Sequence, residues 1–215
     1  SPDGKRLALV EWNNPNMPWD ETRLIMADIS VTNAPAITDS KLMAGGQETI
    51  IYQPEFSPDG RYLSYISSLD DWDALILIDL TTNEKIVLND PKGVHLMEPA
   101  WVQGMRSYVW SPDSKSISYI QNEVGFASLY RISIDTGVSN KLSTAPYTWL
   151  KQIRISSQGE ISLIASSAQI PPRVIVGDNS LWRIAARSTS EDIAPEYLAS
   201  PQAISWLSKE GVEVH

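Results

Sequence analysis

Residue types used in catalysis occur in this chain, but their spacing does not build a catalytic site. A serine hydrolase of the α/β type needs Gly-x-Ser-x-Gly at a strand-to-helix turn, and the nearest approach begins at Gly137 with Lys141 in the last position. The two histidines, His95 and His215, lack metal-ligand spacing, and no glycine-rich phosphate loop is present. The sequence therefore predicts no catalytic residue, no metal and no cofactor in this chain.

An aspartate-rich segment could instead bind a cation. Asp70, Asp71 and Asp73 surround Trp72 and offer carboxylates of the kind that calcium prefers. The glycine and the terminal glutamate of an EF-hand loop are absent, and aspartate also favours turns for conformational reasons. The favoured interpretation is a solvated loop, with calcium binding as the alternative.

Three residues farther along the chain are candidates for a binding site. Glu98, Trp101 and Arg106 lie around one connection between predicted strands and could line the mouth of a central channel. The alternative is that Trp101 is a packing residue and that Glu98 and Arg106 form an ordinary ion pair.

Residues 13–20, Asn-Asn-Pro-Asn-Met-Pro-Trp-Asp, form the most distinctive segment. Two prolines make it rigid, and Trp19 would be costly to leave exposed. We expect this loop to pack against its own sheet or a second domain. Asn16, Trp19 and Asp20 are its candidate site residues, and we expect Asn16 and Trp19 on the same face as Glu98 and Trp101.

A repeated turn must position these segments. Ser-Pro-Asp-Gly occurs at 1–4 and 57–60, and weaker copies occur at 111–114 and 156–159, so the copies start 56, 54 and 45 residues apart. Proline fixes φ for a type I turn, and an apolar-alternating run follows each copy. All-strand repeats of about this period are typical of β-propellers.

The repeat predicts an all-β fold of propeller blades, each with four antiparallel strands A to D, about four of them forming a partial, open propeller. The blades cover roughly 1–49, 50–103, 104–148 and 149–199, and the first lacks its strand A. One face, the plain face, carries the A–B and C–D turns. The opposite loop face carries the B–C and D–A connections, which we expect to be long at 13–22, 69–73, 89–99, 123–127 and 168–173. Function on β scaffolds is usually found in such loops.

Composition excludes several classes of partner. A net charge of −9 over 215 residues argues against nucleic acid and anionic membranes. The apolar runs are too short to span a bilayer. The absence of cysteine leaves the compartment open, with the cytoplasm favoured and the periplasm allowed.

Several segments in a fixed order carry a family resemblance. They are EWNNPNMPWD at 11–20, LIMADI at 24–29, QPEFSPDG at 53–60, EPAW at 98–101, GMRSY at 104–108, PP at 171–172 and YLASPQAI at 197–204. With them, essentially the whole chain resembles the propeller domain of serine peptidases of the prolyl oligopeptidase family, in its acylaminoacyl-peptidase and dipeptidyl-aminopeptidase-like branch. The Ser-Pro-Asp-Gly repeat alone is less specific, because TolB-like propellers share it.

The resemblance implies a propeller that caps a C-terminal α/β-hydrolase domain and admits peptides but not folded proteins. This chain corresponds to the C-terminal part of that propeller, with residues 200–215 as a linker whose end resembles the start of the hydrolase domain. No triad residue can be placed on it, so the parent protein is the expected serine-type peptidase. The expected partners are the hydrolase domain and the parent's peptide substrate, with self-association through open sheet edges as a further possibility.

Two alternatives stay open. Residues 206–211 could be a strand A with a decayed turn that closes a four-bladed ring, although a linker strand is favoured. The chain could also be a TolB-like, non-enzymatic propeller that presents its loops to a protein partner.

Overall fold

The computed structural model describes residues 1–30, 34–69, 71–98, 102, 104–178, 181–190, 193–202 and 204–214. These residues form antiparallel sheets, and no sheet closes on itself. The only helical element among them is a single 3-10 turn at Pro195–Tyr197. No helix in this part of the chain has the length and apolar character to span a membrane.

The strands follow chain order within each sheet. The first sheet contains β1 (Arg6–Glu11), β2 (Thr22–Ser30) and β3 (Ala36–Gly46). The second contains β4 (Ile51–Phe56), β5 (Tyr62–Leu69), β6 (Trp72–Asp79) and β7 (Lys85–Asn89). The third contains β8 (Tyr108–Trp110), β9 (Ser116–Glu123), β10 (Phe126–Ser133) and β11 (Ser139–Leu142). The fourth contains β12 (Trp149–Ile155), β13 (Ile161–Ser167), β14 (Ile170–Gly177) and β15 (Trp182–Arg187).

This arrangement confirms the all-β fold of four-stranded blades, with a first blade of three described strands. β3 was not identified from the sequence. β8 contacts β12 and β1 contacts β4, so the inner strands β4, β8 and β12 lie at the edges where successive sheets converge.

The ring-closing alternative for the tail is wrong. Its strand β16 (Trp206–Leu207) pairs with β17 (Glu213–Val214), while β1 pairs only with β2 among the described strands. The tail strand therefore has a local partner. In the turn of this hairpin, the Gly211 N–H donates to the Ser208 carbonyl at 3.0 Å, as the Gly60 N–H does to the Ser57 carbonyl in the second sheet.

Three of the expected long loops are also corrected. The connections after β5, β9 and β13 are two residues long, because strand pairing continues to the ends of the hairpins at Leu69–Trp72, Glu123–Phe126 and Ser167–Ile170. Val124 and Gly125 both have positive φ, as tight hairpin turns of this kind require. The longer connections of the loop face follow β1, β7, β11 and β15.

The repeated turn has one hydrogen-bond design. In the second sheet, the Ser57 N–H donates to the Tyr62 carbonyl at 2.9 Å, and Ser57 Oγ accepts from the Tyr62 N–H at 2.9 Å. In the third copy, Ser114 replaces glycine at φ 60. Its Oγ accepts from the Asp59 N–H at 3.0 Å, so this departure from the repeat ties the turns of two sheets together.

Apolar clusters fill the spaces between successive sheets. Leu24 and Ile76 belong to the cluster between the first two sheets, and Tyr108 and Ile117 to the next. Leu150 and Leu163 belong to the cluster between the third and fourth sheets. Burial of these alternating side chains is the main stabilising contribution.

A buried polar network crosses from the second sheet to the third through Gln53. This residue has φ 50 at a β-bulge of β4. Its Oε1 accepts from the Ser107 N–H at 2.7 Å, its Nε2 donates to the Tyr108 carbonyl at 2.7 Å, and its own carbonyl accepts from the Tyr108 hydroxyl at 2.6 Å. Burial raises the pKa of Tyr108 well above its usual value, so this hydroxyl stays protonated.

Asp79, at the end of β6, makes the fold sensitive to acid. Hydrogen bonds from the Thr81 hydroxyl (2.6 Å) and the Thr81 N–H (2.8 Å), then from Arg61, hold the pKa of Asp79 well below its ordinary value of 3.8. A lowered folded-state pKa contributes stability above pH 3.8 that is lost as the pH falls below that value.

We therefore expect Asp79→Asn to flatten the dependence of unfolding free energy on pH between about pH 5 and pH 2. Urea unfolding at both pH values measures this, with the exposed Asp39→Asn as the control. An unchanged pH dependence in the Asp79 variant would contradict the role of this carboxylate.

Candidate functional site

The loop face carries a cleft of about 650 Å³ that crosses all four sheets. Its walls include Trp19, Glu48, Asp73, Glu98, Asn122 and Trp149. These residues lie in connections of the loop face or at strand ends beside them. The cleft is within the size range of small-molecule and peptide pockets.

Two consecutive turns hold the loop of residues 13–20. The Asn16 N–H donates to the Asn13 carbonyl at 2.8 Å, and the Asp20 N–H donates to the Met17 carbonyl at 2.9 Å. The Asp20 carboxylate accepts from the Met17 N–H at 2.8 Å, and Asn16 Nδ2 donates to a Glu21 carboxylate oxygen at 3.2 Å. Asn16 and Asp20 thus fix the loop, while Trp19, 41% exposed, is a wall of the cleft.

Thr22, which the sequence did not single out, joins this loop to the connection before β4. It is fully buried, and its N–H donates to the Thr49 carbonyl at 2.8 Å. Its hydroxyl oxygen accepts from the Ile51 N–H at 2.6 Å. These bonds place Glu48 in the same cleft as Trp19.

The aspartate-rich segment has a structural role through Asp73. Its carboxylate is buried and accepts from the N–H groups of Leu96 (2.8 Å) and Met97 (3.1 Å), with His95 Nδ1 at 3.5 Å. These contacts fix residues 95–98 as one wall of the cleft. In the part of the chain that the structure describes, no three acidic or histidine side chains are grouped as metal ligands, and Asp70 lies outside that part.

Glu98 and Arg106 do not pair with each other. Glu98 lies 3.4 Å from Lys151 Nζ, which also lies 4.6 Å from the centre of the Trp149 ring. Arg106 Nε lies 3.2 Å from a Glu55 carboxylate oxygen, beside a second cavity of about 270 Å³ between the inner strands. Trp101 lies outside the described residues.

The structure therefore brings Trp19 and Glu98 into one cleft and separates Arg106 from them. Glu48, Trp149 and Lys151 join that cleft without any signal in the sequence, because each reaches it only through the packing of neighbouring sheets. Trp149 is 38% exposed, so the cleft is lined by one partly exposed indole beside the first sheet, Trp19, and one on the fourth.

The cleft is lined by several ionisable side chains. Four carboxylates, those of Glu48, Asp71, Asp73 and Glu98, line it together with the ammonium group of Lys151 and the imidazole of His95. Among the described residues, His95 is paired with the Asp73 carboxylate, which also accepts from two backbone N–H groups. Indole faces and carboxylates suit the apolar groups and hydrogen-bond donors of a bound ligand.

Comparison with known proteins gives one consistent result. No protein-family model matches the chain. A curated relative, dipeptidyl-peptidase 5 of Porphyromonas gingivalis, is 23% identical over 154 residues, which are 69% of this chain and 21% of the relative. The crystal structure of puromycin hydrolase is 26% identical with a TM-score of 0.85, and the match covers 100% of this chain and 32% of that one.

Two more distant structures share the fold alone. Prolyl oligopeptidase B from Galerina marginata has a TM-score of 0.69 at 16% identity over 98% of this chain and 29% of that one. TolB from Acinetobacter baumannii is weaker, with a TM-score of 0.51 at 17% identity over 86% of this chain and 53% of its own. The chain thus spans about a third or less of the peptidases that it matches.

Proposed function

We propose that this chain, which has the sequence order and fold of the propeller portion of prolyl oligopeptidase-family peptidases, lines the route by which peptides reach a C-terminal hydrolase domain. The propeller turns its loop face toward that domain, and peptide substrates pass along the cleft of this face. Cleavage belongs to the hydrolase domain of the parent protein. The propeller portion selects and orients the peptides that reach that domain.

The observation that supports this proposal is the position of the cleft. It is on the loop face, it spans all four sheets, and it combines two partly exposed indoles with four carboxylates. Aromatic rings beside hydrogen-bonding groups provide apolar contact and fixed orientation, as peptide-binding surfaces require. The plain face carries short turns whose polar groups are hydrogen-bonded within the turns or to the turn of a neighbouring sheet.

The test is steady-state hydrolysis of short chromogenic peptides by the full-length parent protein and its Trp19→Ala variant. We expect kcat/KM to fall about tenfold, mainly through KM, because the loss of one indole contact weakens binding by roughly 1–2 kcal/mol. Leu181→Ala, a control beside the plain-face turn before β15, should leave both parameters unchanged.

Two outcomes would contradict the proposal. Equal changes in kcat/KM for Trp19→Ala and Leu181→Ala would show that the cleft does not contribute to substrate binding. A full-length protein that hydrolyses no peptide would instead favour a binding propeller of the TolB type.

A further inference from the structure

Two arginines face each other across the outer strands of the fourth sheet. Arg173 in β14 is the register partner of Arg187 in β15. Neither guanidinium has an ion pair or hydrogen bond to a described residue, and Arg173 Nε is buried without a partner. This is notable in a chain with 26 acidic and 17 basic residues, where carboxylates are the more abundant group.

Two opposed arginines are unfavourable unless an acceptor of opposite charge binds between them. Like charges directly opposite each other in an antiparallel pair repel. A buried N–H without an acceptor also retains its desolvation cost. An anion that accepts hydrogen bonds from both side chains would remove both costs.

The space beside the pair limits what that acceptor can be. Arg173 and Arg187, with Gln169 and Thr189, line a small cavity of about 50 Å³. A cavity of this size leaves room for one small acceptor group beside the guanidinium groups. The planar guanidinium group also fits a carboxylate through two parallel hydrogen bonds.

We infer that Arg173 and Arg187 form a carboxylate-binding site on the loop face of the fourth sheet. The site is separate from the cleft, because the cleft is lined by the inner strand β12 and the arginines belong to the outer strands β14 and β15. It therefore does not depend on the proposed peptide route. The carboxylate comes either from a chain terminus or from an acidic side chain of a protein surface packed on this face.

The test follows the arginine Nε–H resonances of the 15N-labelled chain during titration with sodium acetate, and with sodium chloride at equal ionic strength. We expect a saturable shift of the Arg173 resonance with acetate alone. Arg187→Gln should weaken this response at least about tenfold, because the second guanidinium is lost. Arg183→Gln is the matched control, since Arg183 lies on the same strand but 3.7 Å from Glu160, and it should leave the response unchanged.

Peptides then identify the source of the carboxylate. Binding of acetyl-Gly-Gly-Gly with a free carboxyl end indicates a chain terminus, and binding of acetyl-Gly-Glu-Gly-amide indicates an acidic side chain; either result supports the site. Equal shifts with chloride and acetate would overturn it. So would an Arg173 resonance that ignores acetate but moves in Glu191→Gln, Asp192→Asn or Glu196→Gln variants, because the partner would then be internal.

Discussion

Replacing Trp110 with alanine is expected to lower the free energy of unfolding by about 3–5 kcal/mol. Trp110 is 3% exposed, and its ring is stacked on Tyr62 at a centroid distance of 6.1 Å. Its Nε1 donates to Ser64 Oγ at 2.8 Å. The substitution opens a cavity between the second and third sheets and removes a buried hydrogen bond, so the two losses act together.

Urea unfolding followed by far-ultraviolet circular dichroism measures this effect. Trp110→Phe separates the cost of the cavity from the cost of the lost hydrogen bond. It keeps most of the apolar volume and should lower the free energy of unfolding by only about 1–2 kcal/mol. Trp206→Ala is the exposure control, since that ring is 54% exposed, and it should cost less than about 0.5 kcal/mol. A loss for Trp110→Ala no larger than that of Trp206→Ala would contradict the packing between these sheets.

Gln53→Leu is expected to cost about 2–4 kcal/mol, although leucine has nearly the same length and is apolar. Gln53 is only 7% exposed, and its amide satisfies the Ser107 N–H and the Tyr108 carbonyl of the neighbouring sheet. Leucine leaves both groups buried without partners, each at about 1–3 kcal/mol.

The measurement for Gln53→Leu combines urea unfolding with amide hydrogen exchange. Exchange of the Ser107 amide should accelerate more than that of Ile117, whose bonds lie within its own sheet. Gln158→Leu, on an exposed turn, makes the same chemical change without buried partners and should be close to neutral. Equal costs for Gln53→Leu and Gln158→Leu would mean that the amide does not join the sheets.

The fold was predictable because its signals are local. The apolar alternation of β5, β6 and β13 and the Ser-Pro-Asp-Gly turns both act over a few residues, so each strand can be identified from its own segment. The ends of the hairpins were less accessible: Asp71 and Gly125 are typical of loops, but strand pairing continues beside them because the ladder hydrogen bonds outweigh local preference.

The candidate site was predictable only in part, because its composition depends on contacts between sheets. The proline-rich loop around Trp19 identified itself by residue type. Trp149 and Lys151 did not, since they lie about 130 residues away and meet Trp19 only across the cleft. The role of Ser114 was also not predictable from the weakened repeat. Its hydroxyl accepts a hydrogen bond from the turn of the neighbouring sheet and not from its own turn.

The two turns within residues 13–20 also affect how a ligand would bind. Because the Asn13 and Met17 carbonyls already accept the hydrogen bonds that shape the loop, the chain around Trp19 is ordered during folding. The conformational entropy of that segment is then lost before any ligand arrives, and association carries no further ordering cost there. On the proposed peptide route, the indole of Trp19 would therefore be carried by a loop whose backbone is already ordered.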